Sequence, residues 1–156
     1  MKSWMTGIGV VALAICVAGT AGCDFIGQII SPQTTRVELV NAGSYPVEVE
    51  LWYGDEQDVP RDILTALGEE INRTIDPGDT YRFSRDCDDL QAVVIEDADL
   101  RIIGGIGPEE DTDVIRDGEE FGCGDTITFT FRHDGDVVPS NFRIDVDIDP
   151  YQIVLP

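Results

Sequence analysis

Carboxylates are the residues of this chain best placed by type and spacing to do chemistry. They crowd two stretches with turn character, Asp86-Cys87-Asp88-Asp89 and Glu109-Glu110-Asp111-Thr112-Asp113. Hard oxygen ligands on flexible loops are what Ca²⁺ requires, so both stretches are candidate calcium loops. A third group, Asp145, Asp147 and Asp149, opens like an EF-hand loop. Pro150 then stands where that loop needs glycine, and no glutamate follows at its twelfth position. Period-two spacing instead puts all three aspartates on one solvated face of a strand.

The other reactive types are scarce. His133 is the sole histidine, followed by Asp134-Gly135, and reads as a surface residue at a strand end. A hydrolytic triad would need a serine within its reach, but there is no Gly-x-Ser-x-Gly elbow. Ser31, Ser44, Ser84 and Ser140 fall in turns or beside strand ends. Gly104-Gly105-Ile106-Gly107-Pro108 is glycine-rich but lacks the lysine and following helix of a phosphate loop. Carboxylate pairs are too abundant for any one pair to mark a general acid and base. The pattern argues for a protein that is not an enzyme.

Cysteine supplies the sharpest signal. Lys2 is followed by an uncharged, mostly apolar run from Ile8 to Ala21. That run is too short to span a bilayer as a helix and suits the apolar region of a signal peptide. It ends in Thr20-Ala21-Gly22-Cys23, which resembles the lipobox of bacterial lipoproteins. The resemblance covers residues 1–23 and departs from the family at Thr20, where an aliphatic residue is usual. It implies removal of residues 1–22, acylation of Cys23 and anchoring in the cell envelope through lipid. Cleavage near Ala21 or Gly22 by an ordinary signal peptidase is the other route of export, and would leave Cys23 free.

On the lipoprotein reading Cys16 leaves with the leader and Cys23 carries lipid. Cys87 and Cys123 then remain as the one pair, and an oxidising compartment favours their disulfide. Two sulfurs without a nearby histidine make an incomplete zinc site.

The full chain of 156 residues carries 31 acidic and 10 basic residues, for a net charge of −21. Lys2 is its only lysine, so loss of the leader leaves nine arginines and a net charge of −22. Such a surface repels nucleic acid and anionic headgroups. It suits colloidal solubility, and it would attract cations or a basic protein partner.

The elements that must carry these residues read as strands. After a tether over residues 23–35, with Phe25, Ile26, Ile29 and Ile30 as its apolar members, period two dominates from residue 36 onward. Alternation over Arg36–Val40 and Val47–Tyr53 predicts two half-buried antiparallel strands around the turn Asn41-Ala42-Gly43-Ser44. Tyr81 and Phe83 follow the turn Asp76-Pro77-Gly78-Asp79. Leu90–Ile95 is apolar throughout much of its length, as in a strand covered on both faces. Leu100–Ile103 is expected to resume after an acidic turn. Thr126–Phe131 and Phe142–Asp149 alternate most clearly, and Tyr151–Leu155 could add an edge strand.

One short helix is expected near residues 59–67, capped by Asp58, opened by Pro60 and stopped by Gly68. Seven to nine short strands over 36–156 predict a single antiparallel β-sandwich of immunoglobulin-like or Greek-key architecture. Trp52 precedes both cysteines, unlike the tryptophan between them in true immunoglobulin domains, so this likeness is architectural.

Overall fold

The computed structural model describes residues 32–102, 107–135 and 139–152. Cys23, the leader and residues 24–31 lie outside the described residues, as does the tail beyond Gln152. Among those described, no helix is long and apolar enough to cross a membrane.

The fold is a β-sandwich. The strands are β1 (Thr34–Asn41), β2 (Val47–Gly54), β3 (Glu69–Ile75), β4 (Thr80–Asp86), β5 (Ala92–Leu100), β6 (Glu109–Glu110), β7 (Ile115–Arg116), β8 (Thr126–Asp134) and β9 (Ser140–Asp149). One sheet runs β4-β1-β8-β9, the other β3-β2-β5-β6, with β7 also paired to β5. Inward residues of both sheets form one core, including Val37, Leu39, Val49, Leu51, Tyr53, Val93, Ile95, Phe129 and Phe131.

The alternation expected in β1, β2, β8 and β9 is present, but the partners differ from a simple meander. The chain crosses between sheets after β1, so β1 and β2 are not paired. β1 instead lies antiparallel to β4 and parallel to β8, with Val37 beside Ile127 and Leu39 beside Phe129. Asn41 fixes this crossing from a fully buried position. Its side-chain amide donates to the carbonyls of Tyr45 and Ile75, both at 2.8 Å, and its oxygen accepts the Gly43 N–H at 2.9 Å. Three hydrogen bonds offset the desolvation of a buried amide.

β1 also begins earlier than expected. Thr35 is completely buried and the Gln33 carbonyl accepts the Cys87 N–H at 3.0 Å. The strand therefore takes in the last two residues assigned to the tether.

The acidic stretch before Leu100 is not a turn. β5 runs unbroken through Glu96-Asp97-Ala98-Asp99, with a register shift where Leu51 pairs Ile95 and Glu50 pairs Asp97. Glu96 is the extra residue of this bulge, and a bulge reverses which face successive side chains take. Val93 and Ile95 point into the core before it, Ala98 and Leu100 after it.

Ala92 and Val94 face the other way, into a second apolar cluster with Val59, Leu64 and Val114. That cluster is the underside of α1 (Arg61–Leu67), so β5 is indeed covered on both faces along its first half. Pro60 occupies the N-cap position, and no side chain caps the helix, Asp58 included. Gly68 ends it in extended backbone, its N–H donating to the Leu64 carbonyl at 2.8 Å. A Cβ there would lie 2.5 Å from the Leu64 carbonyl oxygen and 2.7 Å from that of Tyr53, so close backbone approach demands glycine.

Candidate functional site

The outer face of the β2–β5–β6 layer collects carboxylates. Cross-strand pairing sets Glu50 opposite Asp97, Glu48 opposite Asp99, and Asp99 opposite Glu109. Among the described residues, Asp97, Asp99 and Glu109 form the one group of three potential ligands whose ligand atoms all lie within 4.8 Å of one another.

Burial first, then the charges of Asp99, Glu109 and Glu50, push the Asp97 carboxyl above its ordinary value. Part of the charge is already answered. Arg101 ion-pairs with Glu48 and lies 3.9 Å from Asp99. The Trp52 indole N–H donates to Glu50 at 2.8 Å. Three converging carboxylates are a hard-oxygen donor set of the kind divalent cations take.

Only Glu109 of this trio belongs to the stretches singled out in the sequence. Asp97 and Asp99 were hidden by the acidic run that reads as a turn. The signal that could have found them is Asp97 and Asp99 alternating with Ala98 and Leu100.

The expected loops hold their acids apart. Asp111 is committed to Arg61, 2.5 Å away, and Arg61 also pairs with Glu96 at 2.7 Å. The same guanidinium donates to the Glu96 and Thr112 carbonyls, so it ties α1 to the bulge of β5. Asp88 and Asp89 are exposed on the turn after β4. Asp145, Asp147 and Asp149 lie along β9, and of the three only Asp145 is ion-paired among the described residues, with Arg132 at 3.3 Å and with Arg143 at 3.7 Å. None of these aspartates joins a three-ligand group among the described residues.

Cys87 and Cys123 are joined in a disulfide with their Cα atoms 5.4 Å apart. It ties the turn after β4 to the loop before β8. Cys123 Sγ also lies 3.1 Å from the Pro32 carbonyl oxygen, where the described chain begins.

His133 is the next-to-last residue of β8, at the strand end as expected, but half-buried where a surface position was expected. Its Nε2 accepts the backbone N–H of Ser44 at 2.9 Å, and its ring packs on Tyr45 with centroids 5.6 Å apart. A Cβ at Gly43 would stand 2.7 Å from the imidazole, so glycine at this position is what lets the loop close over the ring. The histidine pins the β1–β2 crossing to β8.

No family model matches the chain, and no curated protein matches it. Solved structures with a distant similarity to the chain include the following two. One is the NMR structure of a protein from Eubacterium rectale, with a TM-score of 0.43 and 14% identity over 78% of this chain and 94% of that one. The other is the crystal structure of the T6SS lipoprotein TssJ1 from Pseudomonas aeruginosa. It has the same score, identity and coverage of this chain, and 99% of its own length is covered. A likeness of this degree identifies no shared chemistry.

Proposed function

We propose that this chain is an exported bacterial lipoprotein whose β-sandwich is a non-catalytic binding or structural module of the cell envelope. Residues 1–22 are the leader, Cys23 carries the lipid, and the segment up to the sandwich is the tether. The observation that carries the reading is the pairing of Cys87 with Cys123, because a structural disulfide persists in an oxidising compartment outside the cytoplasm. The Thr20-Ala21-Gly22-Cys23 motif agrees with it independently. The sole histidine serves as an acceptor for the backbone N–H of Ser44, a structural role that supports the non-catalytic reading. Fractionation tests the proposal. The native chain should partition with membranes and Cys23→Ala should not; equal partitioning of the two would refute it.

A second reading, a calcium-dependent ligand-binding module, is favoured by the convergence of Asp97, Asp99 and Glu109. On that reading millimolar Ca²⁺ raises the melting midpoint and Asp97→Asn abolishes the rise. An unchanged midpoint in the native chain would exclude it.

A further inference from the structure

The two long sides of the sandwich are built differently. On the side of β3 and β4, the turn Asp76–Asp79 and the side chains of Arg85, Tyr53 and Glu69 join the sheets. On the opposite side, among the described residues, β9 is a ten-residue edge strand, and the strands of the other sheet on that side, β6 and β7, have two residues each. Between those fragments the chain stays beside β5 but forms no strand, and its side chains are drawn away from β9. Thr112 bonds to both backbone groups of Ile95, Asp111 turns to Arg61, and Val114 turns under α1.

The inward face of β9 is therefore covered at Phe142 and under-covered beyond it. A groove of about 420 Å³ results, with Ile144, Val146, Ile148 and Ile115 among its apolar lining and Asp113 and Glu120 among its acids. Val146, in the middle, is 39% exposed.

Edge strands normally carry a device against pairing with other chains, such as proline, an inward charge or a very short length. β9 has no proline and no inward-facing charge over Phe142–Ile148. Its outer face carries Arg143 and then Asp145, Asp147 and Asp149, and of these acids Asp145 is answered by Arg132 and Arg143. Asp147 and Asp149 form no ion pair among the described residues. In antiparallel self-pairing centred on Asp147, that residue would meet its own copy and Asp145 would meet Asp149, so the three acids oppose this register of pairing with a second copy. They also repel an anionic lipid surface. They favour a strand whose outward residues are basic.

We infer that the edge of β9, unpaired among the described residues, is a docking site for an extended, basic segment of another protein, which adds a strand to the β4-β1-β8-β9 sheet. Alternate apolar side chains of that segment enter the groove over Ile144, Val146 and Ile148, while the residues between them present positive charge to Asp147 and Asp149. Main-chain hydrogen bonds give such a complex its register, and the alternation gives it selectivity. The inference deepens the reading of the sandwich as a binding module, and it stands or falls independently of whether Cys23 is acylated.

The test uses the full chain in mild detergent and a fluorescent ten-residue peptide of alternating arginine and valine. The controls are a block peptide of the same composition and an alternating glutamate–valine peptide. The arginine–valine peptide should bind at least ten-fold more tightly than either control. Val146→Lys should weaken it ten-fold or more at unchanged melting midpoint. Because that substitution touches the sheet, the exposed pair Asp147→Asn and Asp149→Asn is a second variant, expected to weaken binding and flatten its salt dependence. Equal binding of the block peptide, indifference to both variants, or concentration-dependent self-association that the peptide does not compete away would each overturn the inference.

Discussion

Arg85 on β4 donates a hydrogen bond of 2.6 Å to the hydroxyl of Tyr53 on β2, across the gap between the two sheets. Its guanidinium also lies 5.1 Å from the centre of the same ring and 5.4 Å from that of Phe83. The Tyr53 hydroxyl in turn donates to Glu69 on β3. Tyr53 is 1% exposed, so a ring in the core carries a polar tip that links three strands of both sheets. This closure of one side contrasts with the open groove at β9, and it has a measurable energy.

Tyr53→Phe keeps the ring and removes both hydrogen bonds, which should cost about 1–3 kcal/mol because one partner on each side is charged. Burial, then the bond to Glu69, push the phenol above its ordinary value of 10.0. The folded state thus holds the proton more tightly than the unfolded chain. The associated stability is complete below about pH 10 and is lost as pH rises through the folded value. Denaturant melts between pH 8 and 11 should show a steeper alkaline decline in the native chain than in Tyr53→Phe. Parallel declines would contradict this.

Replacing both Cys87 and Cys123 by serine should cost about 4 kcal/mol on the chain-entropy model, given a loop of this length. The cysteines are 36 positions apart. Urea melts of the double variant should show the loss chiefly as a lower midpoint. A loss under about 1 kcal/mol would mean that the loops are already ordered without the bond.

Asp97→Asn should stabilise the protein at pH 7. Its carboxyl is pushed up by burial and by Asp99, Glu109 and Glu50, so the fold prefers the uncharged form that asparagine imitates. The sign follows directly: the native penalty is present at neutral pH and disappears as pH falls below the unfolded value near 3.8. The gain should be about 1 kcal/mol or less, as for a relieved like-charge cross-strand pair. Melting midpoints of the two proteins should converge on acidification without added cation. A variant less stable than the native chain at pH 7 would reverse the account of this cluster.

The sandwich was legible where burial is one-sided. In β8 the threonines and the apolar residues Ile127, Phe129 and Phe131 alternate in sequence without exception, because one face meets the core and the other is only partly covered, most at Thr130. β3 was not legible. Ile71 and Ile75 are its buried members, and Arg73 holds the inward parity between them, its guanidinium 5.3 Å from the centre of the Tyr81 ring. An edge strand that fills an inward position with arginine loses its period.

β5 concealed itself differently. The Glu96 bulge shifts the inward parity from Val93 and Ile95 to Ala98 and Leu100, so no single alternation spans the strand. That same irregularity hid Asp97 and Asp99, and with them the carboxylate cluster. The groove beside β9 was invisible for a further reason, since it depends on which strand fragment lies opposite, and that is set by the crossings between sheets.

The central claim concerns Cys23, and the intact mass of the protein recovered from an exporting bacterial host tests it most directly. The account predicts a chain that begins at residue 23, heavier by a diacylglyceryl group and an amide-linked acyl chain, and two hydrogens lighter for the Cys87–Cys123 bond. An unprocessed chain that retains Met1, with all four cysteines open to alkylation, would contradict it.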